Sequence, residues 1–398
     1  MSPEQFLPLM RDPLGAPLYP PILQALLVVT FVLHFFFVTL AVGSSAAGIY
    51  GSLQSDPRWQ QLARIATRIT PNAIGLGVVS GIAPLLFVQT IYDPAWYAAN
   101  ALMGFWSVLF IFIVMIGYAL AYFAYLDQKS PRRQVIASSF SLALLLLAGL
   151  IMHALATVSI YPENWQAWYA PGGVIDTTGL SLHAIQVPRL VFVLPLSAGL
   201  SLAITLMLFA WYFQRRQDAD PAFLAWVAEL GRKLGLYLSP LYALFGVLWG
   251  LTQGAGLGIA LPVTLILGIV GVLLWLYFRR LRNPVSQAVQ ALGVFAAALA
   301  VVGITREAIR SASLARFNYS VATYPYQSDW AGIVFFAITS VVGVLSVVYL
   351  AQVLYHSGSA PEGGEIPAKT ERIGTWAIRL LGIWVGLFLL TGIWVSIQ

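Results

Sequence analysis

The 398 residues are 59% hydrophobic and only 9% charged, which leaves too little polar surface for a soluble globule of this size. Cysteine is absent, which excludes disulfides, iron–sulfur ligation and covalent c-type haem attachment within the chain. The net charge of +6 sits in loops between apolar runs, the pattern of membrane topology rather than of nucleic-acid binding.

Residues 1–20 carry one Arg, two acidic residues and five prolines, unlike a cleaved signal peptide, so the first helix is expected to be retained. The apolar runs are long enough to cross about 30 Å of hydrocarbon as helices, and the alternating ten-residue segments of a barrel are missing. Spanning helices are expected near 21–50, 73–93, 99–126, 134–160, 189–213, 234–255, 257–279, 286–306, 330–355 and 373–396. Most connections are short, so the expected fold is an all-α polytopic transmembrane helical bundle, one domain over 1–398. Two longer connections are rich in aromatics: 161–188, with Tyr161, Trp165, Trp168 and Tyr169, and 307–329, with Tyr319, Tyr324 and Tyr326. Each reads as an interfacial belt or as a floor for an extramembrane partner. The connection 356–372, with Gly358, Pro361, Gly363 and Gly364, reads as a flexible linker.

Lys and Arg alternate in number from loop to loop. Arg58, Arg64, Arg68, Lys129, Arg132, Arg133, Arg215, Arg216, Arg232, Lys233, Arg279, Arg280, Arg282, Lys369 and Arg372 fall on one side, fifteen in all, against Arg11, Arg189, Arg306, Arg310 and Arg316 on the other. Basic residues favour the cytoplasm, so both termini are expected on the periplasmic side of a bacterial inner (plasma) membrane.

An ionisable group within the bilayer is costly and asks for an explanation. His34 lies in the first expected helix, His153 near the outer end of the fourth, and Glu307 at the outer end of the eighth with Arg310 three residues on. Either imidazole can serve as an axial ligand of a b-type haem, with Arg189, Arg306 or Arg310 beside the propionates; these arginines defy the positive-inside bias and so invite a counter-anion. Alternatively, each His makes one interhelical hydrogen bond, and Glu307–Arg310 is an intrahelical ion pair. Met103 and Met152 are thioether candidates that packing explains as well, and His183 and His356 fall in loops where solvation is expected. No nucleotide-binding loop, metalloprotease helix or nucleophile elbow is present, so no catalytic residue is assigned. Acids near the bilayer centre are essentially missing, which weakens an ion-coupled transporter.

The first helix, Leu33-His34-Phe35-Phe36-Phe37-Val38-Thr39-Leu40-Ala41-Val42-Gly43, resembles the His-Phe-Leu-Phe-Val-Pro-Leu-Thr-Leu-Gly segment of subunit I of the cytochrome bd quinol oxidase superfamily. Glu307-Ala308-Ile309-Arg310 is similar to that family's Glu-x-Gly-Arg run, and 75–89 looks like an uncharacterised bacterial branch of it. The resemblance covers helices 21–355 and leaves 373–396 as an extra helix. It implies an axial ligand at His34, an opposite ligand at His153 or Glu307, haem b and possible quinone as cofactors, and other subunits of a respiratory or photosynthetic complex or a periplasmic cytochrome c as partners, besides membrane lipid. Three departures stand against a self-sufficient oxidase. Phe192-Val193-Leu194 replaces a Phe-Val-His ligand motif, Thr264-Leu265-Ile266-Leu267-Gly268 replaces Arg-x-Met-x-Gly, and the long quinol-binding loop shrinks to Thr252-Gln253-Gly254-Ala255-Gly256. Three roles remain: an electron-transfer subunit that holds haem, a cofactor-free scaffold that kept the bundle, and, third, a small-solute transporter.

Overall fold

The computed structural model describes residues 2–127, 130–216, 218–357 and 365–397. Lys129 and the expected linker residues Gly358, Pro361, Gly363 and Gly364 lie outside the described residues.

Among the described residues ten helices are long and apolar enough to cross a membrane: α1 (Pro20–Ser52), α2 (Pro57–Ile91), α3 (Gly104–Leu126), α4 (Pro131–Val158), α5 (Val187–Phe213), α6 (Pro221–Gly254), α7 (Ala260–Arg280), α8 (Ala288–Ala315), α9 (Trp330–Ser357) and α10 (Ala368–Ile397). The protein is a multi-pass, all-α membrane bundle whose exposed apolar helix faces meet lipid. Three helices start with the same local chemistry. Asp56, Ser130 and Asp220 each accept a hydrogen bond from a first-turn N–H, and Pro57, Pro131 or Pro221 follows, where its missing N–H leaves no bond unmade.

Helix ends depart from the sequence expectation where helices continue beyond their apolar windows. α2 starts at Pro57 and not near 73, because Leu62, Ala63 and Ala66 are buried while Arg58 and Arg64 are exposed, an amphipathic extension outside the apolar window. α6 likewise starts at Pro221 and not near 234, burying Phe223, Leu224 and Val227. α8 runs to Ala315, past Arg306, and Glu307 and Arg310 in that added stretch pair with each other inside the bundle. A separate helix, Asp93–Leu102, precedes α3. Within α5 the stretch Phe192–Leu196 is a π turn containing Pro195, and the Ser197 hydroxyl donates to the Phe192 carbonyl at 2.9 Å.

α1 is central and packs on α2, α4, α5 and α8. Small residues permit the tightest crossings, as expected where packing rather than water exclusion drives helix association. A Cβ on Gly43 would lie 2.4 Å from the Ala198 carbonyl oxygen of α5. The α9–α10 pair is outlying: only 6% and 11% of their apolar windows are buried, and α9 reaches the remaining helices through contacts such as Tyr212 Oη to the Leu354 carbonyl at 2.6 Å.

At the end of the bundle where α2 stops and α5 begins, the two aromatic connections divide, with Tyr169 and Tyr326 exposed as in a belt and other rings turned inward. Trp165, Tyr319 and Tyr324 are buried there. The Tyr319 hydroxyl donates to the Ile91 carbonyl at 2.8 Å, and Tyr324 to Asp93 Oδ2 at 2.9 Å. The N-terminal segment is tied in by the Asp12 N–H donating to the same Oδ2 at 2.9 Å and by the Ala16 N–H donating to the Pro325 carbonyl at 2.8 Å. Burial raises the Asp93 carboxyl above its ordinary value of 3.8, against these donors, which favour the charged form. The folded state therefore holds the Asp93 proton more tightly than the unfolded state. The cap is firmest below 3.8 and loosens as pH rises through the raised folded value. Tyr324→Phe removes one donor and is expected to cost about 1 kcal/mol or more locally. Amide-exchange protection factors at Asp12 and Ala16, followed against pH, should fall; unchanged protection would show that the cap is held elsewhere.

Candidate functional site

His34 is half-buried on the face of α1 turned to α2, where its Nδ1 lies 2.7 Å from the Gly77 carbonyl. A carbonyl can only accept, so Nδ1 carries the proton and the Nε2 lone pair is left free. The ring lies against Gly81, where a Cβ would come within 2.7 Å of Nδ1.

His153 is buried on α4, and its Nε2 accepts the Gln186 backbone N–H at 3.0 Å. In the neutral ring Nδ1 then carries the proton, and this atom is buried without a hydrogen-bond partner. Neither nitrogen offers a lone pair to iron. One turn on, Thr157 Oγ1 accepts from Arg189 Nη1 at 2.5 Å. Met103 is fully buried in an apolar cluster against which Met152 also packs, and His183 stacks on Trp168 with ring centroids 5.0 Å apart instead of standing in solvent.

Glu307 is buried on α8 with both carboxylate oxygens engaged. Oε1 accepts from Tyr92 Oη at 2.5 Å and from Gln24 Nε2 at 3.1 Å, while Oε2 accepts from Arg310 Nη1 at 2.8 Å. Gln24 and Tyr92 also reach Ser311 Oγ, at 3.0 and 3.3 Å. The Arg310 guanidinium stands 4.9 Å from the Tyr92 ring centroid and that of Arg306 4.1 Å from Phe31.

Arg189, Arg306 and Arg310 line one cavity with Trp249, Gln253, Ala156, Ile160 and Ile309, a space of about 10 Å³, the size of one water molecule. Pockets that take drug-sized ligands run from roughly 300 Å³ upward, so the present packing does not admit a macrocycle. Of the sequence-derived candidates, the structure brings Glu307, Arg306, Arg310 and Arg189 together, sets His153 beside Arg189 through Thr157, and leaves His34 on a separate seam. A haem held between His34 and His153, or between His34 and Glu307, does not fit these side chains, because the second ligand in each pair is already committed to protein donors. Among the described residues no three His, Asp or Glu side chains converge as a metal site would require.

Gln24, Tyr92, Ser311, Trp249 and Gln253 were not legible as site residues. Their one signal was polarity: Gln24 is an amide inside an otherwise apolar start to α1, and Gln253 is another at the end of α6.

No family model and no curated protein matches the sequence. Among solved structures, the fold is similar to a bd oxidase from Geobacillus thermodenitrificans, with a TM-score of 0.58 and 13% identity, covering 86% of this chain and 99% of that one. At that identity the likeness is one of fold, and it places the chain in a remote structural relation to a cytochrome bd oxidase subunit.

Proposed function

We propose that this chain is a scaffold or anchor subunit of a respiratory or photosynthetic electron-transfer complex in the bacterial inner membrane, which keeps a bd-type bundle and fastens its outer end by side-chain pairing. The observation that carries this reading is the commitment of His153 and Glu307 to protein donors. α6 also passes into α7 within a few residues of Gly254, so the long quinol-binding loop of the resembled family has no counterpart here. The end built from Tyr92, Asp93 and Arg310 faces the periplasm, in keeping with the fifteen-to-five distribution of Lys and Arg, and is where a periplasmic cytochrome c would dock. Affinity capture from membranes in mild detergent should recover the chain in fixed stoichiometry with redox-active subunits. Recovery alone, or with a solute-uptake activity and no redox partner, would contradict the reading.

A second reading rests on one specific observation. The Gly77 carbonyl fixes the His34 tautomer as second-sphere acceptors do for ligating histidines, leaving Nε2 free for a single b-type haem.

A further inference from the structure

We infer that the cavity between the outer ends of α4, α5, α6 and α8 is a binding site for a small oxyanion, either free in solution or carried as the phosphate of a lipid headgroup. The chemistry of its lining is one-sided. The three arginines Arg189, Arg306 and Arg310 line one small cavity, about 10 Å³ as packed. The single neighbouring carboxylate, Glu307, pairs with Arg310 alone. Two positive charges are thus left over in a largely buried place, where an uncompensated ion is unfavourable.

Hydrogen-bond accounting points the same way. Arg189 is 7% exposed, and its Nε is buried with no acceptor; Gln253 is 4% exposed, and its Nε2 is likewise without one. The side-chain oxygen of Gln253 does not offset this, because it accepts the Trp249 indole N–H. Arg306 makes no hydrogen bond or ion pair among the described residues and is held only over the Phe31 ring. Buried polar groups are ordinarily satisfied, so several orphaned donors converging on one space call for an acceptor from outside the chain. An acceptor with negative charge and several oxygens, a phosphate or a carboxylate, answers both deficits at once, and planar guanidinium forks match its geometry. As packed the space is about the size of a water molecule, so an oxyanion enters as the half-buried Arg306 side chain swings outward to meet it.

The test uses the full-length protein in detergent, with thermal unfolding followed as inorganic phosphate replaces chloride at constant ionic strength, and again in nanodiscs of phosphatidylcholine with and without phosphatidylglycerol. The wild type should show a saturable rise in Tm with at least one of the two. Arg306→Gln should weaken the apparent affinity about tenfold or more, the loss of one charge-assisted contact. Gln253→Leu, which leaves every charge in place, should weaken it by a smaller factor and covers the case in which Arg306→Gln fails to fold. A response to phosphate alone assigns the site to a free anion, and a response to phosphatidylglycerol alone assigns it to a lipid headgroup. The inference is overturned if neither outdoes chloride, if both variants respond as the wild type does, or if haem b accompanies the wild type and is released from Arg306→Gln.

Discussion

Glu307→Gln is expected to destabilise the bundle by about 3–5 kcal/mol, because it leaves Arg310 buried without its counter-charge beside two other arginines. The carboxylate is the hub of this end of the bundle: Tyr92, Gln24 and Arg310 all donate to it, so one substitution unsettles α1, α8 and the end of α2 together. The effect should be asymmetric. Arg310→Met leaves Glu307 with Tyr92, Gln24 and the charge of Arg306 and removes one of the surplus cations, so it should cost distinctly less. The double variant Glu307→Gln/Arg310→Met should be more stable than Glu307→Gln alone. Thermal unfolding of the three variants in one detergent checks this. Equal losses from the two single variants would mean that the charge imbalance is not felt and that the ion pair behaves as a screened surface pair.

Gly271→Ala should cost about 1–3 kcal/mol, and Gly271→Val more. A Cβ on Gly271 of α7 would meet the Ala243 N, Cα and Cβ of α6 at 2.4, 2.5 and 2.6 Å. Two of those three atoms are backbone, so the helices themselves must part, and the dispersion contacts that hold α6 to α7 in lipid are lost along the seam. Gly382→Ala and Gly386→Ala in the outlying α10 supply the control, since a Cβ at either position meets nothing within 4 Å. These should unfold with the wild type. Loss of stability at Gly382 or Gly386 comparable to that at Gly271 would show that the effect does not come from the α6–α7 crossing, since backbone entropy alone favours Ala in a helix.

The ten spans were legible because hydrocarbon leaves few solutions: every backbone group must be satisfied within its own segment, so long apolar runs become helices whatever else the sequence does. The ends were less legible because hydropathy reports where the membrane stops and not where the helix does. α2 and α6 begin with amphipathic turns whose arginines lie outside any apolar window, and only their Asp-Pro starts mark the true boundary. Glu307–Arg310 was readable as an ion pair from its spacing of three, and the three arginines were readable as an anomaly of placement. Which side chains complete the site was not. Tyr92, Gln24 and Gln253 come from the end of α2, α1 and α6, brought together only by tertiary packing, and the polarity of the two amides does not say which partners they meet. His153 shows the limit most sharply. Burial was predictable from its apolar flank, but whether iron or a backbone amide meets Nε2 depends on where the 161–188 connection returns, and it returns to set the Gln186 N–H there.

The proposed scaffold role is tested most directly by a pyridine haemochrome spectrum of the purified native complex, taken for the wild type and for His34→Ala. The expected result is that His34→Ala leaves both the b-type haem content and the assembled complex unchanged, whatever haem the partner subunits bring. A haem b signal lost from the His34→Ala complex at undiminished assembly would contradict the scaffold reading and place iron on the free Nε2 of that ring.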